Sequence, residues 1–302
     1  MFVSEAFAHT QTGVHGQKGA EWLAQLPTLL EACAQRWSLT ILPPFANLSY
    51  NYVAPALRAD GTDVVLKVGV PHPELFGEMD ALRLYEGRGM VRLLECEREQ
   101  GIMLLERLKP GTPLLALDDE RATSIAAYLM RRYRRPLPRE HSFPTVARWA
   151  KGLQRLRARF DGGTGPFPRR LVAMAESLFA ELLASSAQPV LLHGDLHHEN
   201  ILAAKREPWL AIDPKGVAGE PAYEVGAWLR NPLPALLQAS QPARVLARRV
   251  DQFAEGLGFE RERLIGWGIA QAVLSAWWTF EDQGYVGADA LACAELLETV
   301  GG

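Results

Sequence analysis

The sequence has little cysteine: Cys33, Cys96 and Cys293 are its only three, far apart and without a C-x-x-C pair. That spacing excludes a disulfide framework and a cysteine-built zinc site, and it suits reduced thiols in a cytoplasmic protein. Long apolar runs are missing as well. No segment approaches the roughly 20 apolar residues that a bilayer-spanning helix needs. The first twenty residues lack both the basic start and the continuous apolar stretch of an export leader. Neither membrane insertion nor export is expected. Charge of one sign is also scarce, with a formal net charge of −3 over 302 residues. A broad nucleic-acid-binding face is therefore not expected. Arg131, Arg132, Arg134 and Arg135 form one local basic run, which reads as a solvated helix end. Internal repeats and low-complexity tracts are absent.

What is present is an ordinary globular composition, 48% hydrophobic and 22% charged, in a chain long enough for two packed cores. Residues 1–17 are small, polar and unpatterned, and a loose arm is expected there. Trp22, Leu23, Leu26, Leu29, Leu30 and Cys33 recur at three- and four-residue intervals. They predict a helix from Lys18 to Trp37, with a break at Pro27. The texture then turns to strands near Thr40–Leu42, Tyr50–Ala54 and Val64–Val68, the last two joined by an Asp60-Gly61 hairpin signal. In the third strand, period two puts Val64, Leu66 and Val68 on one face and Val65 with Lys67 on the other. A helix over Pro73–Tyr85 follows, with Leu75, Met79, Leu82 and Tyr85 on one side. Two more strands are expected near Val91–Glu95 and Ile102–Glu106.

Lys109-Pro110-Gly111-Thr112-Pro113 interrupts all regular structure between a strand-rich and a helix-rich half. It sets the expected boundary between an N-terminal lobe, 1–108, and a C-terminal lobe, 109–302. Beyond it, Asp118 is placed to cap a helix through Ile125, Leu129 and Met130, and helices are expected over Val146–Phe160 and Leu171–Leu183. Short strands return only at Val190–Leu192, Asn200–Leu202 and Trp209–Ile212. After Tyr223 the chain reads as helical through Arg244–Phe253, Leu264–Phe280 and Ala288–Leu297.

Those short strands flank the chemistry. His193-Gly194-Asp195-Leu196-His197-His198-Glu199-Asn200 carries an Asp and, five residues on, an Asn; Asp213 follows the next apolar strand. Phosphoryl transfer asks a protein to orient a hydroxyl, hold Mg²⁺ and neutralise phosphate charge. Asp195 can accept the hydroxyl proton. Asn200 and Asp213 offer the oxygen ligands that a hard cation prefers. Lys67 can reach nucleotide phosphates and Glu78 can pair with it, with Glu74 as the competitor. The competing reading of Lys67 is a charge that protects a sheet edge. A metal reading of His193 and His197 finds no third ligand with a recognisable spacing, and Gly194 argues against the helix it would need.

The same residues carry a resemblance. The run His193–Asn200 with Ala211-Ile212-Asp213-Pro214-Lys215-Gly216 resembles the aminoglycoside phosphotransferase family. Trp209–Tyr223 and Leu229-Arg230-Asn231-Pro232 are similar to its streptomycin 6-phosphotransferase and hydroxyurea phosphotransferase branch. The resemblance implies an α+β, protein-kinase-like two-lobed fold, with an antiparallel sheet lobe followed by a larger, mostly helical lobe. It implies ATP and Mg²⁺ as cofactors, and phosphorylation of a small-molecule hydroxyl, foremost the 6-hydroxyl of streptomycin. Hydroxyurea or an endogenous metabolite is the alternative acceptor, and an inactive nucleotide-binding module the remaining one.

By the resemblance, Asp195 takes the role of base, Asn200 and Asp213 those of metal ligands, and Lys67 that of the phosphate-binding lysine with Glu78 beside it. The segment Leu104–Leu108, including Glu106 and Leu108, would present its backbone to adenine. Ser49 stands where a glycine-rich phosphate loop would lie, although no GxGxxG precedes Lys67. Glu224 replaces the usual Asp after Tyr223 and would buttress the loop, with His193 holding it by hydrogen bonds. His198, Glu220, Glu281 and Asp282 are the candidates for substrate contact. Trp277 and Trp278 read first as core. Pro214-Lys215 in place of Phe-Gly separates the chain from protein-kinase activation-loop logic.

Overall fold

The computed structural model describes residues 3–186 and 188–301. The chain forms two compact units, Met1–Gly111 and Thr112–Gly302.

The first unit begins with two helices, α1 (Glu5–His15) and α2 (Gln17–Trp37). The expected loose arm is thus a helix. Ser4 caps it by accepting the Phe7 N–H, and Phe7 and Gln11, one turn apart, turn the same face inward. Phe7 packs on Trp22 with ring centroids 6.2 Å apart, and burial of such a ring is worth about 1.5–3 kcal/mol. With only one large apolar residue on its buried face, α1 offers almost no periodic signal. Nor does α2 break at Pro27. The ring removes one hydrogen bond, but Leu26 and Leu30 on either side are buried and hold the helix through that position.

An antiparallel five-stranded sheet follows, in the order β1-β2-β3-β5-β4. Its strands are β1 (Leu39–Ile41), β2 (Tyr52–Arg58), β3 (Asp63–Val68), β4 (Leu93–Glu97) and β5 (Ile102–Glu106). The β2–β3 turn is the Asp-Gly hairpin, with Gly61 at φ 82° and the Asp60 carboxylate accepting the Thr62 N–H at 2.8 Å. Val64, Leu66 and Val68 enter one core with Phe7, Trp22, Leu26 and Leu30. Lys67 points away from that core toward α3 (Pro73–Tyr85). Because β3 is central rather than an edge, the edge-protection reading of Lys67 does not hold.

The second unit holds α4 (Asp119–Tyr133), capped by Asp118 through the Arg121 N–H, then α5 (Val146–Arg159) and α6 (Arg169–Ala184). Strand β6 (Arg135–Pro136) lies between α4 and α5 in the chain. Next come β7 (Val190–Leu192), β8 (Ile201–Ala203), β9 (Trp209–Ala211) and β10 (Val217–Gly219). Strand β7 lies between β10 and β6, while β8 and β9 form a separate hairpin. Strands β6 and β10, two and three residues long, are too short to register as alternation.

The remaining helices are α7 (Val225–Leu229), α8 (Ala235–Gln238), α9 (Pro242–Leu257), α10 (Arg261–Gln283) and α11 (Ala288–Gly301). Helix α10 is buried without interruption from Leu264 to Leu274, as expected of a helix packed on by α5, α6, α7, α9 and α11.

Candidate active site

In the first unit, Lys67 Nζ lies 2.7 Å from Glu78 Oε1, and both side chains are buried. The period-two geometry of β3 aims Lys67 at α3, and Glu78 sits on the inward face of that helix beside Leu75 and Met79. Glu74, the competitor, is exposed. A buried pair of this kind is costly to break, since removing one partner leaves an uncompensated charge. Ser49 lies exposed in the loop before β2. That loop is tied down from behind: Gln11, fully buried on α1, donates its Nε2 hydrogens to the carbonyls of Tyr50, at 3.0 Å, and Ser49, at 3.4 Å. Glu106 closes β5; its carboxylate accepts the Arg92 N–H and its own N–H reaches the Arg92 carbonyl, while Leu108 beyond it is buried.

In the second unit, residues 193–200 run from β7 to β8, and their backbone is fixed at nearly every step. Glu224 accepts the His193 N–H at 2.6 Å and the Gly194 N–H at 2.9 Å, one on each carboxylate oxygen. Complete burial pushes its carboxyl up to about 7, although those two amides favour the charged form. Gly194 has φ 82°, and a Cβ there would come within 2.9 Å of Trp149 and of Val217, so the turn admits no side chain.

His193 accepts the Asp195 N–H on Nδ1 at 3.2 Å and donates from Nε2 to the Ile212 carbonyl at 2.7 Å. Those two bonds require the neutral Nε2–H tautomer. Burial agrees, lowering the imidazole to about 4.

Asp195 is thereby held with its side chain partly exposed. Partial burial pushes its carboxyl up, but His197, Arg230 and Lys215 outweigh it and hold the group below the usual carboxylate range. Arg230 Nη2 lies 3.3 Å from Oδ1, and His197 Nε2 lies 3.9 Å from Oδ2. An ionised carboxylate on a rigid, partly open turn is suited to accept a proton from a bound hydroxyl.

Asn200 uses its amide nitrogen internally, donating to the Asp195 carbonyl at 3.0 Å, which reserves Oδ1 for another partner. The Ile212 N–H bonds the Asn200 carbonyl at 2.9 Å, so the β8–β9 hairpin brings Asp213 one residue past the position opposite Asn200. Asp213 is exposed and has φ 58°, a left-handed conformation that costs a non-glycine residue about 1–3 kcal/mol and is commonest at functional turns. One amide oxygen and one carboxylate fit a small hard cation that completes its shell with water and phosphate oxygens.

Three of the expected substrate contacts have other employment. Glu220 is buried and bound by both Nε and Nη2 of Arg263, with the Trp267 indole N–H at 3.3 Å and the Ser186 hydroxyl at 3.2 Å. It is an internal strut between the start of α10 and the turn before Tyr223. His198 is buried too, stacked on Trp228 with ring centroids 3.8 Å apart, and burial lowers its imidazole to about 3. Glu281 is engaged by Arg155 through two 2.7 Å bonds. Asp282 is exposed at the end of α10. Trp277 is core, but Trp278 is half-buried and meets Trp149 edge-on at 5.4 Å.

The residues that sequence reasoning left without a role are Gln11, Trp149, Arg230 and Gln271. Each acts across a sequence separation of more than 30 residues, beyond the reach of local periodicity. The one signal available was polarity on an otherwise apolar helical face, at Gln11 and Gln271.

Residues 36–284 match the model of the aminoglycoside/hydroxyurea antibiotic resistance kinase family. The chain is 35% identical over 283 residues to a streptomycin 6-kinase from Streptomyces glaucescens, an alignment covering 93% of this chain and 91% of that one. It is 36% identical over 274 residues to a hydroxyurea phosphotransferase from Kitasatospora aureofaciens, covering 88% and 77%. Among solved structures it is similar to the aminoglycoside phosphotransferase APH(4)-Ia in ternary complex with ADP and hygromycin B. There the TM-score is 0.63 at 12% identity, covering 89% of this chain and 96% of that one. A choline kinase from Streptococcus pneumoniae gives a TM-score of 0.61 at 15% identity, covering 89% and 98%. Those two likenesses establish the protein-kinase-like fold. With its sheet unit, its larger helical unit and its Asp195 loop, the chain belongs to the aminoglycoside/hydroxyurea antibiotic resistance kinase family and is a phosphotransferase acting on hydroxyl groups.

Proposed function

We propose that this kinase transfers the γ-phosphoryl group of ATP to the 6-hydroxyl of streptomycin, in the cytoplasm where ATP is supplied. The observation that carries the reading is the constellation around Asp195: a partly exposed carboxylate on a rigid turn, with Asn200 at the start of the β8–β9 hairpin and Asp213 one residue past the position opposite it. Asp195 accepts the proton of the acceptor hydroxyl as the bond to phosphorus forms. Lys67, oriented by Glu78, holds the nucleotide phosphates, and the loop around Ser49 covers them. The backbone of Glu106–Leu108 takes the adenine. Asn200 and Asp213 would hold Mg²⁺, which when bound neutralises the charge on the nucleotide phosphates. In this division of labour the first unit binds nucleotide and the second carries the base and the acceptor. Streptomycin is favoured because the streptomycin 6-kinase relative aligns along 91% of its length, against 77% for the hydroxyurea phosphotransferase, which at 36% identity supplies the second reading.

The test is streptomycin-dependent release of ADP by the purified protein, with the product position read by mass spectrometry and NMR. Phosphate on the 6-hydroxyl is expected. Turnover with hydroxyurea and none with streptomycin would transfer the assignment to the second reading.

A further inference from the structure

The second unit buries two arginines whose surroundings differ in kind. Arg249 is fully committed to structure: it meets the Asp119 carboxylate through two nitrogens and donates to the carbonyls of Trp228 and Asn231. Arg230 is buried almost as deeply, at 8% exposure, yet its guanidinium is anchored on the core side by a neutral amide. Its Nη1 donates to Gln271 Oε1 at 2.5 Å, and Gln271 itself is only 1% exposed. Gly226 makes room for that amide, since a Cβ there would lie 2.6 Å from Gln271 Oε1. The other end of the guanidinium reaches a single oxygen, Asp195 Oδ1, at 3.3 Å.

Such an arrangement is a poor way to stabilise a fold. A guanidinium withdrawn from water regains its hydration through a carboxylate oxygen met by two of its nitrogens and through filled donor positions, as at Arg249; a single long contact to a partly exposed carboxylate recovers much less. It is a good way to fix a carboxylate. With Oδ1 engaged by Arg230 and the Asp195 N–H held by His193, the carboxylate has a defined rotation. Among the described residues the one ion-pair partner within reach of Oδ2 is His197 Nε2, at 3.9 Å too far for a hydrogen bond, which leaves Oδ2 to receive a proton.

We propose that Arg230 is a positioning residue for Asp195, set in place by Gln271 of α10. It turns Oδ2 toward the acceptor hydroxyl and holds Oδ1 away from it. This rests on Asp195 being the base, as argued above. The guanidinium comes from the end of α7, 35 residues beyond the Asp195 it serves, so the turn 193–200 carries its base but borrows the group that orients it.

The test measures steady-state kinetics and thermal unfolding for Arg230→Ala, Arg230→Lys, Gln271→Leu and Asp195→Ala, each with and without added guanidinium ion. For Arg230→Ala, kcat should fall about 10–100-fold, the scale of a reacting group displaced by an ångström or so, with KM for ATP within about twofold of the parent. Guanidinium at tens of millimolar should restore part of that loss and should do nothing for Asp195→Ala. Arg230→Lys should fall between the parent and Arg230→Ala. Gln271→Leu, which keeps the cation but frees it, should lose about 5–10-fold in kcat. The double variant Asp195→Ala/Arg230→Ala should be no slower than Asp195→Ala, because residues that act as a unit are not additive.

Unchanged kcat in folded Arg230→Ala would overturn the proposal, as would a loss indifferent to guanidinium. If Arg230→Ala does not fold, Gln271→Leu and Arg230→Lys decide by the same criterion: parental kcat in both overturns it. If Asp195→Ala itself turns over normally, the base assignment is what has failed; an inactive Asp195→Ala beside a fully active Arg230→Ala rejects only the role of Arg230.

Discussion

The turn 193–200 and the end of α10, residues 277–282, both bring polar and aromatic side chains together, and they do so in opposite ways. In the turn, the backbone is held from outside at both ends, the His193 and Gly194 N–H groups by Glu224 and the Asn200 carbonyl by the Ile212 N–H, while the side chains of Asp195 and Asn200 keep atoms to spare. At the end of α10 the side chains spend themselves on the fold: Glu281 on Arg155, Trp277 and Phe280 on each other and on Phe160 and Phe167. A chemical site is marked less by its charged residues than by whether neighbouring atoms have already used them. Glu220 makes the same point: it is a carboxylate like Asp195, but both of its oxygens are already bound by Arg263.

The sharpest break of that contrast is Asp195→Ala. Loss of a general base should lower kcat about 10²–10⁴-fold while leaving the melting temperature and nucleotide binding near the parent values. Calorimetry with ATP beside the kinetic assay would read both. The next largest effect should have the opposite signature. Glu220→Gln should cost about 3 kcal/mol of stability, the low end for a broken buried pair because Arg263 keeps some solvent, with kcat per folded molecule unchanged. Denaturant unfolding and active-site titration would separate the two, and a selective loss of kcat would return Glu220 to the site.

Glu224→Gln lies between these. An amide can accept on one side only, so one of the two loop N–H groups is stranded, at about 1–3 kcal/mol. Its pH dependence has a definite sign. His193 and His198, lowered to about 4 and about 3, contribute stability that is complete above their unfolded value near 6.5 and is lost as pH falls toward those folded values. Glu224, raised to about 7, runs the other way: its contribution is complete below about 4.5 and is lost as pH rises through 7. Between pH 6.5 and 4.5 the two trends oppose each other in the parent. Glu224→Gln removes the compensating one and should lose stability more steeply on acidification over that window. Parallel curves by chemical denaturation would contradict the assignment.

The smallest effect belongs to Glu281→Gln. A largely solvated pair with Arg155 is worth about 0–1 kcal/mol, and KM for streptomycin should move less than about twofold. A larger change would give the carboxylate a share in the substrate.

Much of the fold was legible because its signals are local. Period two in β3, three-four spacing in α2 and α3, the Asp118 cap and the Asp-Gly hairpin each lie within one turn or one strand pair. The family resemblance then supplied the protein-kinase-like architecture. Helix α1 escaped because its buried face carries a glutamine where apolar residues were sought, and β6 and β10 because two or three residues make no pattern. The turn 193–200 announced itself by spacing. What surrounds it was legible only in part: the family resemblance pointed to Glu224, 30 residues from the Gly194 amide it receives, but nothing gave a role to Arg230, 35 residues from Asp195. The engagement of Glu220 and Glu281 was hidden for the same reason, since their arginine partners are 43 and 126 residues away. Composition near a motif reports which groups are available, and only the folded chain reports which have already been taken.

The backbone of Asp213 carries one further consequence. Its left-handed φ of 58° is a conformation that glycine would adopt without cost. With a side chain there, the conformational work of presenting a carboxylate is done during folding rather than at the moment of encounter. A cation that meets this oxygen has little chain entropy left to remove, so its affinity reflects the oxygen–cation bond itself. The turn is thereby a little less stable as a piece of polypeptide and correspondingly better prepared as a ligand.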